Sequence, residues 1–193
     1  MTTVVEICNL ALSSLGKGVP ISALDEASEE ARQCKQHYGF ARDWLLQQFE
    51  YQFARKVLAL PSLTNDWAER WGYRYSKPND CLKIIRIVPP IDDADDLPIS
   101  YGVRGASVYT DDETAKLEYT FRQEDPSTYP PQFVDAFAWA LAARIAFPLT
   151  RDRQIRADAV QMAAELRHAA EDADANNEIN SYVVPAAHIE ARN

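Results

Sequence analysis

The sequence is short of the basic residues that several protein classes need. Lys and Arg number 20 against 29 Asp and Glu, which gives a net charge of −9. Proteins that grip nucleic acid through its phosphates carry an excess of Lys and Arg, so this composition argues against such a protein. It does not argue against a protein that lies next to DNA without binding it tightly.

Cysteine is equally scarce. The chain has three, Cys8, Cys34 and Cys81, in 193 residues. An odd number in a chain of this length does not form a disulfide framework. We expect reduced, buried thiols of the kind found in cytosolic proteins.

Long hydrophobic runs are also missing. No window of eighteen residues is wholly apolar, so we expect no membrane span. The longest apolar stretch, residues 133–147, carries Asp135 and Arg144. The first residues lack a basic flank and a cleavage-type ending, and we expect no secretory signal.

The residues and motifs of common catalytic sites are few. There are three histidines, and no Gly-rich phosphate loop, HExxH or GxSxG occurs. Cys34 and His37, one helical turn apart, have the spacing of half a zinc site. No second pair follows, and Cys34 lies on a helix packing face, so we favour a structural role for it. We expect no enzyme, no cofactor and no metal site.

The apolar pattern divides the chain into three parts. Spacing typical of helices occurs near both ends, whereas between them the period falls to two and Gly and Pro appear. The predicted fold is mainly α (α+β), with a four-helix-type bundle formed by residues 1–60 and 130–175. A small antiparallel β-subdomain is inserted over 61–129, and an extended C-terminal arm covers 176–193.

Capping residues predict where the helices begin and end. Thr3 and Glu6 form a capping box for the first helix, and Gly16 ends it. Ser22 or Asp25 is expected to cap the second helix. Its packing face contains seven regularly spaced residues: Leu24, Ala27, Ala31, Cys34, Tyr38, Ala41 and Leu45.

The third helix is predicted to be the central one. Pro130 and Pro131 open it, where a missing amide hydrogen does no harm. It is apolar nearly all round, which is typical of a buried helix. Pro148 is expected to end it, and Thr150 to cap the fourth helix.

Alternation of side chains predicts the strands. Tyr73 and Tyr75 lie on one strand, residues 77–80 have turn chemistry, and a β-branched run follows, which together predict a β-hairpin. Later strands alternate too, and they predict a sheet of about four strands with one face in water. The residues expected on that wet face are Lys116, Glu118, Thr120 and Arg122.

The charges of the fourth helix oppose its macrodipole. Three cations stand at its start and three carboxylates near its end, although the dipole favours the reverse. Neutralisation by Asp152, Asp158 and solvent is one interpretation. The other is that both ends contact complementary charges on neighbouring subunits. The six residues are Arg151, Arg153, Arg156, Glu171, Asp172 and Asp174.

Two further segments are candidates for function. The first is an acidic loop, and it lacks the turn glycine and terminal Glu of a calcium loop, so we expect it to be solvated. It contains Asp92, Asp93, Asp95 and Asp96. The second is the C-terminal arm, whose β-branched and aromatic residues favour ordering against another protein over simple disorder. Those residues are Tyr182, Val183, Val184 and Ile189.

Several short motifs in a fixed order suggest a family. The most informative stretch is residues 71–88, the predicted hairpin between two helical regions. Tyr51 stands where the family pattern has Trp. The other motifs, spread over roughly residues 5–150, are Asn9-Leu10-Ala11-Leu12, Leu15-Gly16, Ile21, Leu24-Asp25, Ala41-Arg42-Asp43, Leu45-Leu46, Phe53-Ala54-Arg55, Leu60, Tyr119, Asp125-Pro126 and Phe133. In this order they resemble the head–tail adaptor proteins of short-tailed bacteriophages, the family of tail tubular protein A and of the packaged-DNA-stabilising, head-completion adaptors.

The resemblance implies a structural virion protein at the head–tail junction, assembled in the host cytoplasm. Its subunits would form a homo-oligomeric ring under the portal protein, extend the DNA channel and offer a docking platform to the tail nozzle, a tail tubular protein B-like protein. Twelve copies would match the portal, and the arm would reach along it. The acidic loop would line the channel or face the tail, and DNA would pass through without tight binding. Two alternatives are a cell-wall (peptidoglycan) hydrolase of the phage tail and a cytosolic helical scaffolding module.

Overall fold

The structure, a computed structural model, describes residues 2–89 and 98–178. Within that part of the chain, α-helices near both ends enclose strands in a mixed α+β order. The helices are α1 (Val4–Ser14), α2 (Glu29–Gln48), α3 (Pro131–Thr150) and α4 (Arg153–Glu178). The strands are β1 (Arg55–Ala59), β2 (Ser62–Leu63), β3 (Tyr73–Ser76), β4 (Cys81–Val88), β5 (Tyr101–Arg104), β6 (Ser107–Thr110) and β7 (Lys116–Phe121).

Helix α1 has the predicted capping box. The amide of Glu6 donates to the Thr3 hydroxyl at 3.2 Å, and the Thr3 amide donates to the Glu6 carboxylate at 2.7 Å. Gly16 follows the helix with a φ of 73°, a left-handed conformation that glycine adopts without steric cost. Both predicted ends of α1 are confirmed.

Helix α2 begins later than predicted. Its cap is Ser28, whose hydroxyl accepts from the Ala31 amide at 3.2 Å. The prediction of Ser22 or Asp25 as the cap was wrong. The Ser22 amide instead donates to Glu26, so this segment forms a turn before the helix. Leu24 and Ala27 therefore lie outside α2. The rest of the predicted packing face is buried: Ala31, Cys34, Tyr38, Ala41 and Leu45.

Helix α3 is the centre of the helical part, as predicted. It packs against α1, α2 and α4, and Pro130 and Pro131 stand at its start. Among the described residues it is the one helix long and apolar enough to cross a membrane. More than half of that window is buried inside the protein, which is typical of a core helix.

The end of α3 and the start of α4 differ from the prediction. Pro148 lies inside the last turn of α3, and the helix ends after it, where Arg151 has a left-handed φ of 59°. The cap of α4 is Asp152, not Thr150, because its carboxylate accepts from the Gln154 amide at 2.7 Å. Helix α4 also continues to Glu178, beyond the predicted boundary at residue 175.

The strands form two antiparallel sheets, where we expected one sheet of about four strands. One sheet has the order β1-β7-β4 and the other the order β2-β3-β6-β5. The predicted hairpin was wrong in its pairing, because β3 pairs with β6 and β4 pairs with β7. The turn over residues 77–80 carries the chain from one sheet to the other. Its Lys77 amide donates to the Ala106 carbonyl at 2.9 Å.

The predicted wet face of β7 is half buried. Glu118 and Thr120 are buried, while Lys116 and Arg122 are exposed as predicted. Because β7 lies between β1 and β4, long side chains at partner positions flank these two residues. Arg55 and Arg86 both pair with the Glu118 carboxylate, at 3.5 and 2.7 Å. A buried carboxylate needs such partners.

Candidate assembly surface

The three arginines at the start of α4 lie at its solvent-exposed end. Arg151, Arg153 and Arg156 are exposed and form no ion pair within residues 2–89 and 98–178. The Asp152 carboxylate is used to cap α4, as its 2.7 Å contact with the Gln154 amide shows. Asp152 forms no ion pair with these arginines among the described residues, although its charge lies at the same end of the helix.

An apolar groove begins beside these arginines. A cavity of about 620 Å³ is lined by Phe147, Arg153, Arg156, Ala157 and Val160. A second cavity of about 570 Å³ shares Arg156 and Val160 and continues the groove between α2, α3 and α4. Its other lining residues are His37, Trp44, Ala140, Ala143, Arg144, Ala163, Ala164 and Arg167. We call the two together the arginine groove.

The walls of the arginine groove expose large apolar side chains. Val160 is 51% exposed, Trp44 40% and Phe147 37%. The rest of the lining includes small side chains of α3 and α4, namely Ala140, Ala143, Ala157, Ala163 and Ala164. Exposed apolar surface of this kind next to polar residues is typical of a protein interaction site.

The charges of the groove are all positive. The Arg144 guanidinium lies 5.9 Å from the Trp44 ring centroid, an attractive cation–π arrangement. Burial, and next the charge of Arg144, lower the pKa of His37 below its ordinary value of 6.5. His37 is therefore neutral at pH 7, and no carboxylate lines the two cavities within the described residues. A glycoside hydrolase needs a pair of carboxylates around the scissile bond, which this groove does not offer.

The acidic end of α4 is not a single surface. Asp174 is 8% exposed, and its carboxylate accepts from the Gln52 amide at 2.8 Å. Glu171 is paired with Arg167 and His168 of its own helix. Asp172 is exposed and makes no ion pair within the described part of the chain. Of the three, Asp174 has a role inside the chain and Asp172 is the one free to meet a partner.

A regular line of carboxylates does run along the outside of α4. Asp158, Glu165 and Asp172 are spaced by seven residues, which places them on one side of the helix. All three are exposed, and none forms an ion pair among the residues that the structure describes. We call them the acidic stripe. The prediction missed Glu165 and treated Asp158 only as a neutralising charge, although the seven-residue spacing was visible in the sequence.

The half zinc site is not assembled. Cys34 is buried against Cys8, and this contact, together with burial, holds the pKa of the Cys8 thiol well above its ordinary value. His37 instead lines the arginine groove. Within residues 2–89 and 98–178, no group of three metal-ligating side chains occurs. The three cysteines are free and buried, as predicted.

Two predicted segments lie outside the described residues. These are the acidic loop with Asp92, Asp93, Asp95 and Asp96, and the part of the arm with Tyr182, Val183, Val184 and Ile189. The groove itself was missed by sequence reasoning. A second apolar stripe on α2, with Phe40 and Trp44 exposed beside His37, was the available signal.

Comparison with known proteins gives no further assignment. No family model matches this chain, and no curated protein matches it.

Proposed function

We propose that the chain is a head–tail adaptor subunit of a short-tailed bacteriophage. Copies would form a ring under the portal, extend the DNA channel and receive the tail nozzle. The four helices would act as a bundle that meets the portal, and the two sheets would face neighbours or the tail. The order of helices and strands along the chain, and the resemblance of its motifs, support this role.

The observation that carries the proposal is the unpaired arginine cluster on an acidic protein. A ring requires contacts between two different surfaces of the same chain, because identical surfaces give closed dimers. Arg151, Arg153 and Arg156 supply one surface. Exposed carboxylates of α4, including Asp172, supply the other. A twelve-fold ring would match the portal.

The net charge of −9 suits a channel that DNA must pass. Duplex DNA carries one negative charge per ~1.7 Å of its axis, so a basic wall would hold it and an acidic wall would repel it. In the proposed ring, carboxylates that face the lumen keep the duplex centred and mobile. The acidic loop over residues 92–96 is the candidate for that position or for the surface that faces the tail.

The test is to mix the purified chain with the portal protein of its phage and to measure the mass of the product by native mass spectrometry. We expect a complex that contains one chain per portal subunit. Removal of residues 179–193 should abolish the complex and leave the circular dichroism spectrum of the helices unchanged. The matched control is the full chain with Glu190→Gln and Arg192→Gln, which keeps the apolar residues of the arm and should bind as the wild type does. Absence of any complex with the wild-type chain would refute the adaptor role.

The two alternatives give different results in simple assays. A peptidoglycan hydrolase would clear a band in a cell-wall zymogram, and we expect no clearing. A cytosolic scaffolding module would not join the portal. Clearing by the purified chain would favour the hydrolase. Failure to bind the portal, together with a stable complex with a host protein, would favour the scaffolding module.

A further inference from the structure

We propose that the acidic stripe of one copy docks into the arginine groove of the next copy, in a head-to-tail contact made by α4. This inference deepens the proposed ring by naming the two surfaces that meet. The pairing itself depends only on the chain, and the closure of the ring rests on the proposed function.

The two surfaces lie on different sides of α4. At 3.6 residues per turn, the groove residues Arg156, Val160 and Arg167 are roughly 160° around the helix from the acidic stripe. Because the two complementary surfaces lie on opposite sides of the same helix, the acidic stripe of a copy cannot contact the groove of that same copy. Repetition of the contact therefore generates a chain of subunits, which closes into a ring when the rotation allows it.

The two surfaces also have similar lengths. From Arg153 to Arg167 the groove follows α4 for roughly 21 Å at 1.5 Å per residue. From Asp158 to Asp172 the acidic stripe has the same number of residues, and so also extends roughly 21 Å. If α4 of one copy lay in the groove of the next, its carboxylates could therefore face the positive residues of the groove along the full length of the contact.

Charge complementarity identifies the occupant. Arg144, Arg153 and Arg156 have no ion pair among the described residues, and neither do the three carboxylates of the acidic stripe. Two carboxylates at the start of α2 are already paired, Glu29 with Arg32 and Glu30 with Lys17. The groove and the acidic stripe therefore each hold several charges without an ion pair, and the two sets have opposite signs.

A symmetric dimer through the groove is disfavoured by the same charges. Placing one groove on another would oppose arginine clusters, and like charges brought together at an interface are repulsive. The apolar part of the proposed contact comes from two residues beside the acidic stripe, the exposed Ala169 and the half-buried Met162. They would pack against the exposed Val160 and Phe147 of the groove. Guanidinium groups at the rim then form bidentate pairs with the carboxylates.

A charge exchange between two variants tests the contact. The groove variant is Arg153→Glu with Arg156→Glu, and the stripe variant is Glu165→Lys with Asp172→Lys. All four positions are exposed, so both variants should fold. Sedimentation velocity of the full chain over a concentration series up to the millimolar range, where even weak contacts are populated, gives the average mass.

Wild-type chain should increase in mass with concentration, and each variant alone should remain monomeric. An equimolar mixture should regain association, because an acidic groove then meets a basic stripe and the unchanged basic groove meets the unchanged acidic stripe. The control variant, Lys35→Glu with Lys116→Glu, reverses two exposed cations outside both surfaces and should associate as the wild type does.

Three results would overturn the inference: a monomeric wild type at every concentration, a groove variant that associates normally, or a mixture that stays monomeric. The assay contains no portal protein. A failure here therefore removes this contact, whereas a failure to bind the portal removes the adaptor role.

Discussion

The Asp174 carboxylate links α4 to the turn that follows α2. It is buried on α4 and accepts the Gln52 amide of the turn after α2 at 2.8 Å. Replacing it in Asp174→Ala leaves a buried amide without its acceptor, which costs about 1–3 kcal/mol of unfolding free energy. Urea denaturation followed by circular dichroism measures the loss.

The neighbouring residue is the control for that experiment. Asp172 is exposed, so Asp172→Ala should change the unfolding free energy by less than about 0.5 kcal/mol. Equal stability of the two variants would show that the buried carboxylate does not hold the turn.

His37 makes stability depend on pH. Its folded pKa lies below the ordinary value of 6.5, first because of burial and then because of Arg144. The unfolded chain therefore binds a proton more readily than the folded chain does, and the contribution of His37 is present above pH 6.5 and is lost as pH falls through its folded pKa. Melting temperatures between pH 7.5 and 5 should decline less steeply for His37→Gln than for the wild type. Parallel curves for the two proteins would contradict this account.

At the scale of elements, the arginines at the start of α4 should lower the stability of the folded chain. Cations at a helix start oppose the macrodipole by about 0.3–1 kcal/mol each at low salt. Arg153→Glu with Arg156→Glu should therefore keep or raise the melting temperature, while the same substitutions weaken self-association. A fall of several degrees at low salt would mean that these arginines serve the fold of the single chain.

Local signals in the sequence predicted the helices well. The capping box of Thr3 and Glu6 and the diproline before α3 act within one turn, so the sequence alone contains the information. Ser28 was missed because two earlier polar residues, Ser22 and Asp25, have the same capping chemistry. Only the turn that Glu26 closes onto the Ser22 amide separates these positions.

Strand pairing was less predictable than strand position. Tyr73 and Tyr75 do lie on a strand, and residues 81–88 on another. However, the two strands do not pair with each other, and β6 and β7, with which they pair, lie well beyond both of them in the sequence. Alternation in β7 likewise identified a strand and gave the wrong exposure for Glu118. A central strand flanked by Arg55 and Arg86 buries a carboxylate that an edge strand would leave in water.

The candidate site was predicted in part. The unusual charges of Arg153 and Arg156 were visible because they conflict with the helix dipole. The groove was not visible, since its walls come from α2, α3 and α4 and exist only after they pack. The burial of Asp174 likewise depends on the position of Gln52, far away in sequence.

For the whole molecule, the negative net charge predicts the strength of its binding to DNA. With 29 carboxylates against 20 basic groups, duplex binding should be weak at physiological salt. Fluorescence anisotropy with a labelled duplex should show no saturable binding by the purified chain at micromolar concentration. Tight binding that disappears with added salt would contradict the proposed channel wall.

The proposed location of the chain at the head–tail junction of a phage is the part of the central claim that can be tested most directly. An electron cryomicroscopy reconstruction of the virion should show a ring between the portal and the tail nozzle, with density that fits the helices and both sheets of this chain. Density at that junction that fits a different protein would contradict the account.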